Sequence, residues 1–142
     1  LPFILLLNNL IGAVMTNGTN MFVVDNKEAT VEAIKTLKTI MQSTLKLVKQ
    51  IKEQKDNKDD QKETCQNAIK NLFMLIQTID KKQQTILTKD LDYLYKHCLF
   101  AVVRVRDNND YEFLDGCVDV LAEITEGWER VGMAVQKSPS FG

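Results

Sequence analysis

Two prolines occur in the chain, Pro2 and Pro139, and both lie at its ends. Proline breaks a helix interior by removing an amide donor and clashing with the preceding turn, so no such break interrupts residues 3–138. Histidine is scarcer still, with His97 alone. Its neighbour Cys98 projects about 100° away around a helix, so adjacency does not make the two a metal site or a nucleophile and base. No HExxH or ExxH spacing is present, which leaves a carboxylate-bridged metal bundle without ligands. The six glycines form neither GxGxxG nor GxxxxGK, so the loops that cradle phosphates are missing. Asp107, Asp110 and Asp115 lack the glycine and terminal glutamate of a calcium loop. Arginine occurs three times, at Arg104, Arg106 and Arg130, and supplies few bidentate clamps for phosphate or carboxylate. With these absences we expect no catalytic residues, no metal, no cofactor and no enzyme activity.

Charge is nearly balanced, 18 Lys and Arg against 19 Asp and Glu. Nucleic-acid binding, which depends on clustered basic charge, is not expected. The apolar start Leu1-Pro-Phe-Ile-Leu-Leu-Leu is too short to cross a bilayer, which takes about 20 apolar residues, and no membrane insertion is expected. Two readings of that start stay open: a buried helix, or the apolar region of a secretory signal followed by the sequon Asn17-Gly18-Thr19. Cys65, Cys98 and Cys117 are an odd number without a CxxC pair. Reduced, buried thiols follow from that count, and with them a cytoplasmic location.

What the sequence does contain is helical periodicity. Apolar residues make up 44% of the chain and charged residues 26%, suited to a single helical-bundle domain over 1–142, with residues 134–142 expected as a flexible tail. The spacing predicts an all-α fold, an antiparallel up-and-down bundle of four to five helices. A first segment runs from Phe3 to Met15, and a second opens at Asp25 with Glu28 in a capping-box spacing. The second segment's apolar face is Ile34, Leu37, Met41, Leu45, Val48 and Ile51. The polar run Glu53 to Gln61 reads as an exposed turn, with Asp60 and Glu63 offering the next cap. A third helix carries Cys65, Ile69, Leu72, Ile76 and Ile79 and ends near Asp80, and a fourth follows by about Thr88.

The region from Leu87 to Met133 reads as a helical hairpin. Leu87, Leu91, Leu94, Cys98, Val102 and Val105 are the expected deep positions of its first helix, and Leu114, Cys117, Leu121, Ile124, Trp128 and Val131 those of its second. Arg106 to Asn109 forms the connection, with Asn109 placed to cap the next helix together with Glu112. Reversal near residue 107.5 sets Leu87 level with Trp128, Leu91 with Ile124, Leu94 with Leu121 and Cys98 with Cys117. Every such pair is apolar on both sides, as neighbouring helices of a bundle require. A second stripe, Tyr95, Leu99 and Val103, makes the first helix of the hairpin apolar on more than one side, so it is expected at the centre of the bundle unless that stripe meets a partner.

Within the hairpin, Leu91-Asp92-Tyr93-Leu94-Tyr95, Asn109-Asp110, Leu114-Asp115 and Glu123-Ile124-Thr125-Glu126-Gly127-Trp128 resemble the flagellin export chaperone family FliS. The family pattern runs L-x-x-L-Y, N-D, L-D-E-V and L-x-E-I-x-E-x-W at the same intervals, and Ala68 to Asp80 is similar to the family's preceding helix. The resemblance spans Ala68 to Arg130 and leaves about one helix more than the family needs. It implies a cytoplasmic chaperone whose partner is the C-terminal segment of flagellin, held in hydrophobic grooves and kept from polymerising before export. Tyr95, Leu99 and Val103 are the expected partner-binding residues. The alternative is a secreted helical-bundle binding or inhibitor protein with Leu1 to Met15 as a signal remnant, in which Cys98 and Cys117, level in the hairpin, would pair.

Overall fold

The computed structural model describes residues 27–79 and 86–137. Among them four helices run up and down: α1 (Lys27–Glu53), α2 (Lys58–Gln77), α3 (Ile86–Asn108) and α4 (Leu114–Lys137). The bundle is all-α, as the periodicity requires. The expected segment Phe3 to Met15 and the cap at Asp25 lie outside the described residues. The α4 helix includes residues 134–137, assigned above to a tail, and Val135 is buried there.

The four helices close into a ring. α1 packs against α2 and α4, and α3 against α2 and α4. Among the described helices none is therefore central, and α3 is one of four walls.

In α1, α2 and α3 the deepest positions alternate by three and four, which keeps one stripe facing the bundle axis. In α1 they are Thr30, Ile34, Leu37, Met41, Thr44, Val48 and Ile51, with Ala33 beside them. Leu45, expected in this row, is only partly buried. In α2 the deep residues are Gln61, Cys65, Ala68, Leu72 and Leu75, while Ile69, Ile76 and Ile79 pack at the margin.

The α3 core keeps four of the six expected positions, Leu91, Cys98, Val102 and Val105, and differs at Leu94, whose place is taken by Tyr95. Thr88, Leu91, Tyr95, Cys98, Val102 and Val105 are buried, and Leu94 is only partly so. The side chain of Leu87 is outside the description. A matching change occurs in α4, where Thr125 is buried and Ile124 and Val131 are partly buried. Polar-tipped residues can hold these positions because their hydroxyls are satisfied: Thr125 Oγ1 donates to the Leu121 carbonyl at 2.7 Å, and Thr44 Oγ1 to that of Ile40 at 2.7 Å. The register of the hairpin holds at Cys98 and Cys117, whose side chains meet across α3 and α4.

Both described turns differ from expectation in how they end and start helices. Asn57, not Asp60, caps α2, its side chain accepting from the Asp60 amide at 3.3 Å. Helix α2 thus begins at Lys58, and Gln61, read as part of an exposed turn, is a buried helical residue. Its Nε2 donates to the Ile51 carbonyl at 2.9 Å and to the Tyr111 hydroxyl at 2.8 Å. Asn109 closes α3 and does not cap α4. It sits at φ 55°, the left-handed conformation that asparagine tolerates, and its amide donates to the Val105 carbonyl at 3.0 Å. Asp110 supplies the turn's acceptor instead, taking the Glu112 amide at 3.0 Å and the Arg104 guanidinium at 2.8 Å.

Candidate functional site

The side-chain contacts fix which flank of each helix faces which neighbour. Asn71 of α2 bonds Ser43 of α1 at 3.3 Å, so at about 100° per residue Ile69, Phe73 and Ile76 fall on the opposite flank, toward α3. On α3, His97 meets Phe113 and Arg104 meets Asp110, placing that flank toward α4. Leu99 and Val103 lie on the other flank and face α2. The α2–α3 seam is therefore lined by Ile69, Phe73, Ile76, Leu99 and Val103, none of them fully buried, and Phe73 is 51% exposed.

Of the expected partner-binding residues, Leu99 and Val103 are half-buried in this seam. Tyr95 is not at the surface: it is 1% exposed and belongs to the core. The Trp128 indole N–H offers its hydroxyl a hydrogen bond, and burial pushes the phenol well above its ordinary ionisation range. Tyr95 is thus a fixed core residue one turn from Leu99. At the same end, Asp92 pairs through Oδ2 with Lys96 at 2.8 Å. Its Oδ1 is buried and receives no hydrogen bond among the described residues. Such an oxygen is costly to leave unpaired and is a ready acceptor for a donor entering the seam.

A second apolar strip runs along the outer face of α3. Tyr93 stacks on His97 with ring centres 6.4 Å apart, His97 meets Phe113 edge-on at 6.3 Å, and Phe100 meets Phe113 at 5.2 Å. His97 is therefore part of an aromatic surface cluster. Tyr93 and Phe100 remain 67% and 48% exposed. Neither they nor Phe73 stood out in the sequence, because each falls off the core stripe and looks like an isolated surface aromatic. The i, i+4, i+7 spacing of Tyr93, His97 and Phe100 was the available signal.

No group of three His, Cys, Asp or Glu side chains converges as a metal site among the described residues. Cys65, Cys98 and Cys117 are free and buried, and desolvation raises the Cys65 thiol to about 11. No described helix is long and apolar enough to cross a membrane. What the arrangement offers here is partly buried apolar surface along the α2–α3 seam and an aromatic strip on α3.

The family model described as flagellar protein FliS matches residues 15–135. No curated protein and no solved structure matches the chain. The matched stretch includes α1, so the helix that the shorter resemblance left over lies within the family's extent. With most of its length covered, the chain belongs to the FliS flagellar protein family, a family of chaperones and not of enzymes.

Proposed function

We propose that this protein is a cytoplasmic export chaperone that binds the C-terminal segment of flagellin and keeps it from polymerising before export. The observation that supports the reading most is the incomplete burial of Ile69, Phe73, Ile76, Leu99 and Val103 along one seam. A segment that is disordered when free folds as an amphipathic helix by laying its apolar face in such a groove. Leu99 and Val103 line the wall, held by the buried Tyr95 one turn away in the core, and the unpaired Asp92 oxygen accepts a donor from the incoming chain.

Binding of a peptide with the flagellin C-terminal sequence, measured by titration calorimetry, tests this. The parent protein should bind at micromolar concentration or tighter. Leu99→Lys places a charge against the incoming apolar face and should weaken binding at least about tenfold, the equivalent of about 1.4 kcal/mol. Absence of binding at micromolar concentration would defeat the proposal. Full affinity in Leu99→Lys together with Phe73→Asp would move the site away from the α2–α3 seam.

A further inference from the structure

Cys98 and Cys117 meet in the seam between α3 and α4. The Cys98 sulfur lies 3.8 Å from the Cys117 carbonyl oxygen, and the Cys117 sulfur 4.0 Å from the Cys98 carbonyl oxygen. Each side chain thus reaches across to the other's backbone, and the two thiols are close enough to interact. Cys65 faces a different seam, near Arg106 on the α2 side of α3. Both Cys98 and Cys117 are fully buried, so an oxidant reaches them only when the seam opens.

We propose that Cys98 and Cys117 form a latent redox staple: when the α3–α4 seam opens, the dithiol exchanges with a low-molecular-weight disulfide and the resulting bond ties the two helices together. One cysteine loses its proton and attacks the small disulfide, forming a mixed disulfide and releasing one small thiolate. The second cysteine, deprotonated, attacks the protein sulfur of that mixed bond and releases the other small thiolate. The two protons end on the released thiols, the protein dithiol gives up two electrons, and the small disulfide takes them. In the closed bundle the step is slow, because the interaction with the neighbouring Cys98 thiol and then burial push Cys117 far above the usual thiol range and leave little thiolate.

The test uses the full chain in a buffer of oxidised and reduced glutathione, with and without urea below the unfolding midpoint. After acid quenching, intact mass and peptide mapping report the bonds formed. The expected product is lighter by two hydrogens, joins Cys98 to Cys117, leaves Cys65 free and forms faster in urea. It should melt roughly 5–10 °C higher, and reductant should reverse the rise. Cys65→Ala should keep the staple. A chain that stays reduced under both conditions, cross-links that include Cys65, or a bonded form that melts no higher would each overturn the proposal. The peptide map of the unaltered chain decides the pairing even if Cys98→Ala or Cys117→Ala fails to fold.

Discussion

Gln61 gives the sharpest test of how the two described turns hold one end of the bundle. It is 4% exposed and its amide nitrogen makes two bonds, to the Ile51 carbonyl and to the Tyr111 hydroxyl. Tyr111 in turn donates to Asn109 Oδ1 at 3.1 Å and accepts from Lys58 at 3.1 Å, and the Lys55 ammonium lies 4.4 Å above its ring. The turn after α1 is thereby latched to the turn after α3. In Gln61→Leu both bonds vanish, and Ile51 keeps only the longer bond from the Gln54 amide at 3.3 Å. At about 1 kcal/mol net for each bond, the expected loss is roughly 1–2 kcal/mol. Tyr111→Phe removes the hydroxyl but leaves Lys58 bonded to Asn109 at 2.6 Å, for a loss of about 1 kcal/mol. Because the two residues share one bond, the double variant should cost about 1 kcal/mol less than the sum. Urea unfolding followed by far-ultraviolet circular dichroism measures all three. A Gln61→Leu variant within about 0.5 kcal/mol of the parent, as an exposed turn residue would give, refutes the latch.

The glycines of α4 divide by what surrounds them. Gly116→Ala and Gly127→Ala have room for a methyl group and should each stabilise by about 0.5–1 kcal/mol, whereas in Gly132→Ala the new carbon would meet Ile34 Cγ2 at 3.3 Å and the gain should vanish; equal thermal shifts in all three would show that α1 and α4 do not approach closely there. The Glu112 amide and the Arg104 guanidinium hold Asp110 below the usual carboxylate range, so its contribution is present above the unfolded value and lost as pH falls through the folded one. Urea midpoints should therefore fall more in Asp110→Asn at neutral pH than at a pH below the ordinary carboxylate range, low enough to protonate the folded carboxylate as well. In Tyr95→Phe the Trp128 indole loses its acceptor; the sole tryptophan's emission should change, with about 1 kcal/mol of stability lost.

The helices were legible because few competing signals interrupt them: without internal proline, the three-four spacing of Ile34, Leu37, Met41, Val48 and Ile51 describes α1 almost completely. The hairpin register was legible at Cys98 and Cys117 because two small residues at one level leave little choice. Where the reading failed, hydrophobicity had been given precedence over phase. Leu94 is more apolar than Tyr95, yet the three-four alternation of α3 runs through Tyr95; in α4 Thr125 is buried one place past Ile124, off the alternation, and satisfied hydroxyls remove the penalty for burying both. Gln61 and Asn57 failed for a related reason: a polar run looks solvated until the partners that complete its hydrogen bonds, here Ile51 and Tyr111, are brought in from distant parts of the chain.

The same distinction between phase and polarity explains the candidate site. Tyr95, Leu99 and Val103 are spaced by four, and four residues advance about 40° beyond a full turn. A stripe of this kind cannot stay at constant depth along a straight helix: it starts in the core at Tyr95 and moves onto the flank at Leu99 and Val103. The three residues read as one surface in the sequence, yet only the last two can meet a partner without unfolding the bundle. Substitution should separate them accordingly. Tyr95→Ala empties a buried core position and should cost roughly 3–5 kcal/mol of stability, by analogy with other large aromatics. Leu99→Ala and Val103→Ala, half-buried, should cost less than half of that while weakening the flagellin peptide. If Leu99→Ala destabilised the bundle as much as Tyr95→Ala, the flank would be core, and the α2–α3 seam would have no surface left to offer.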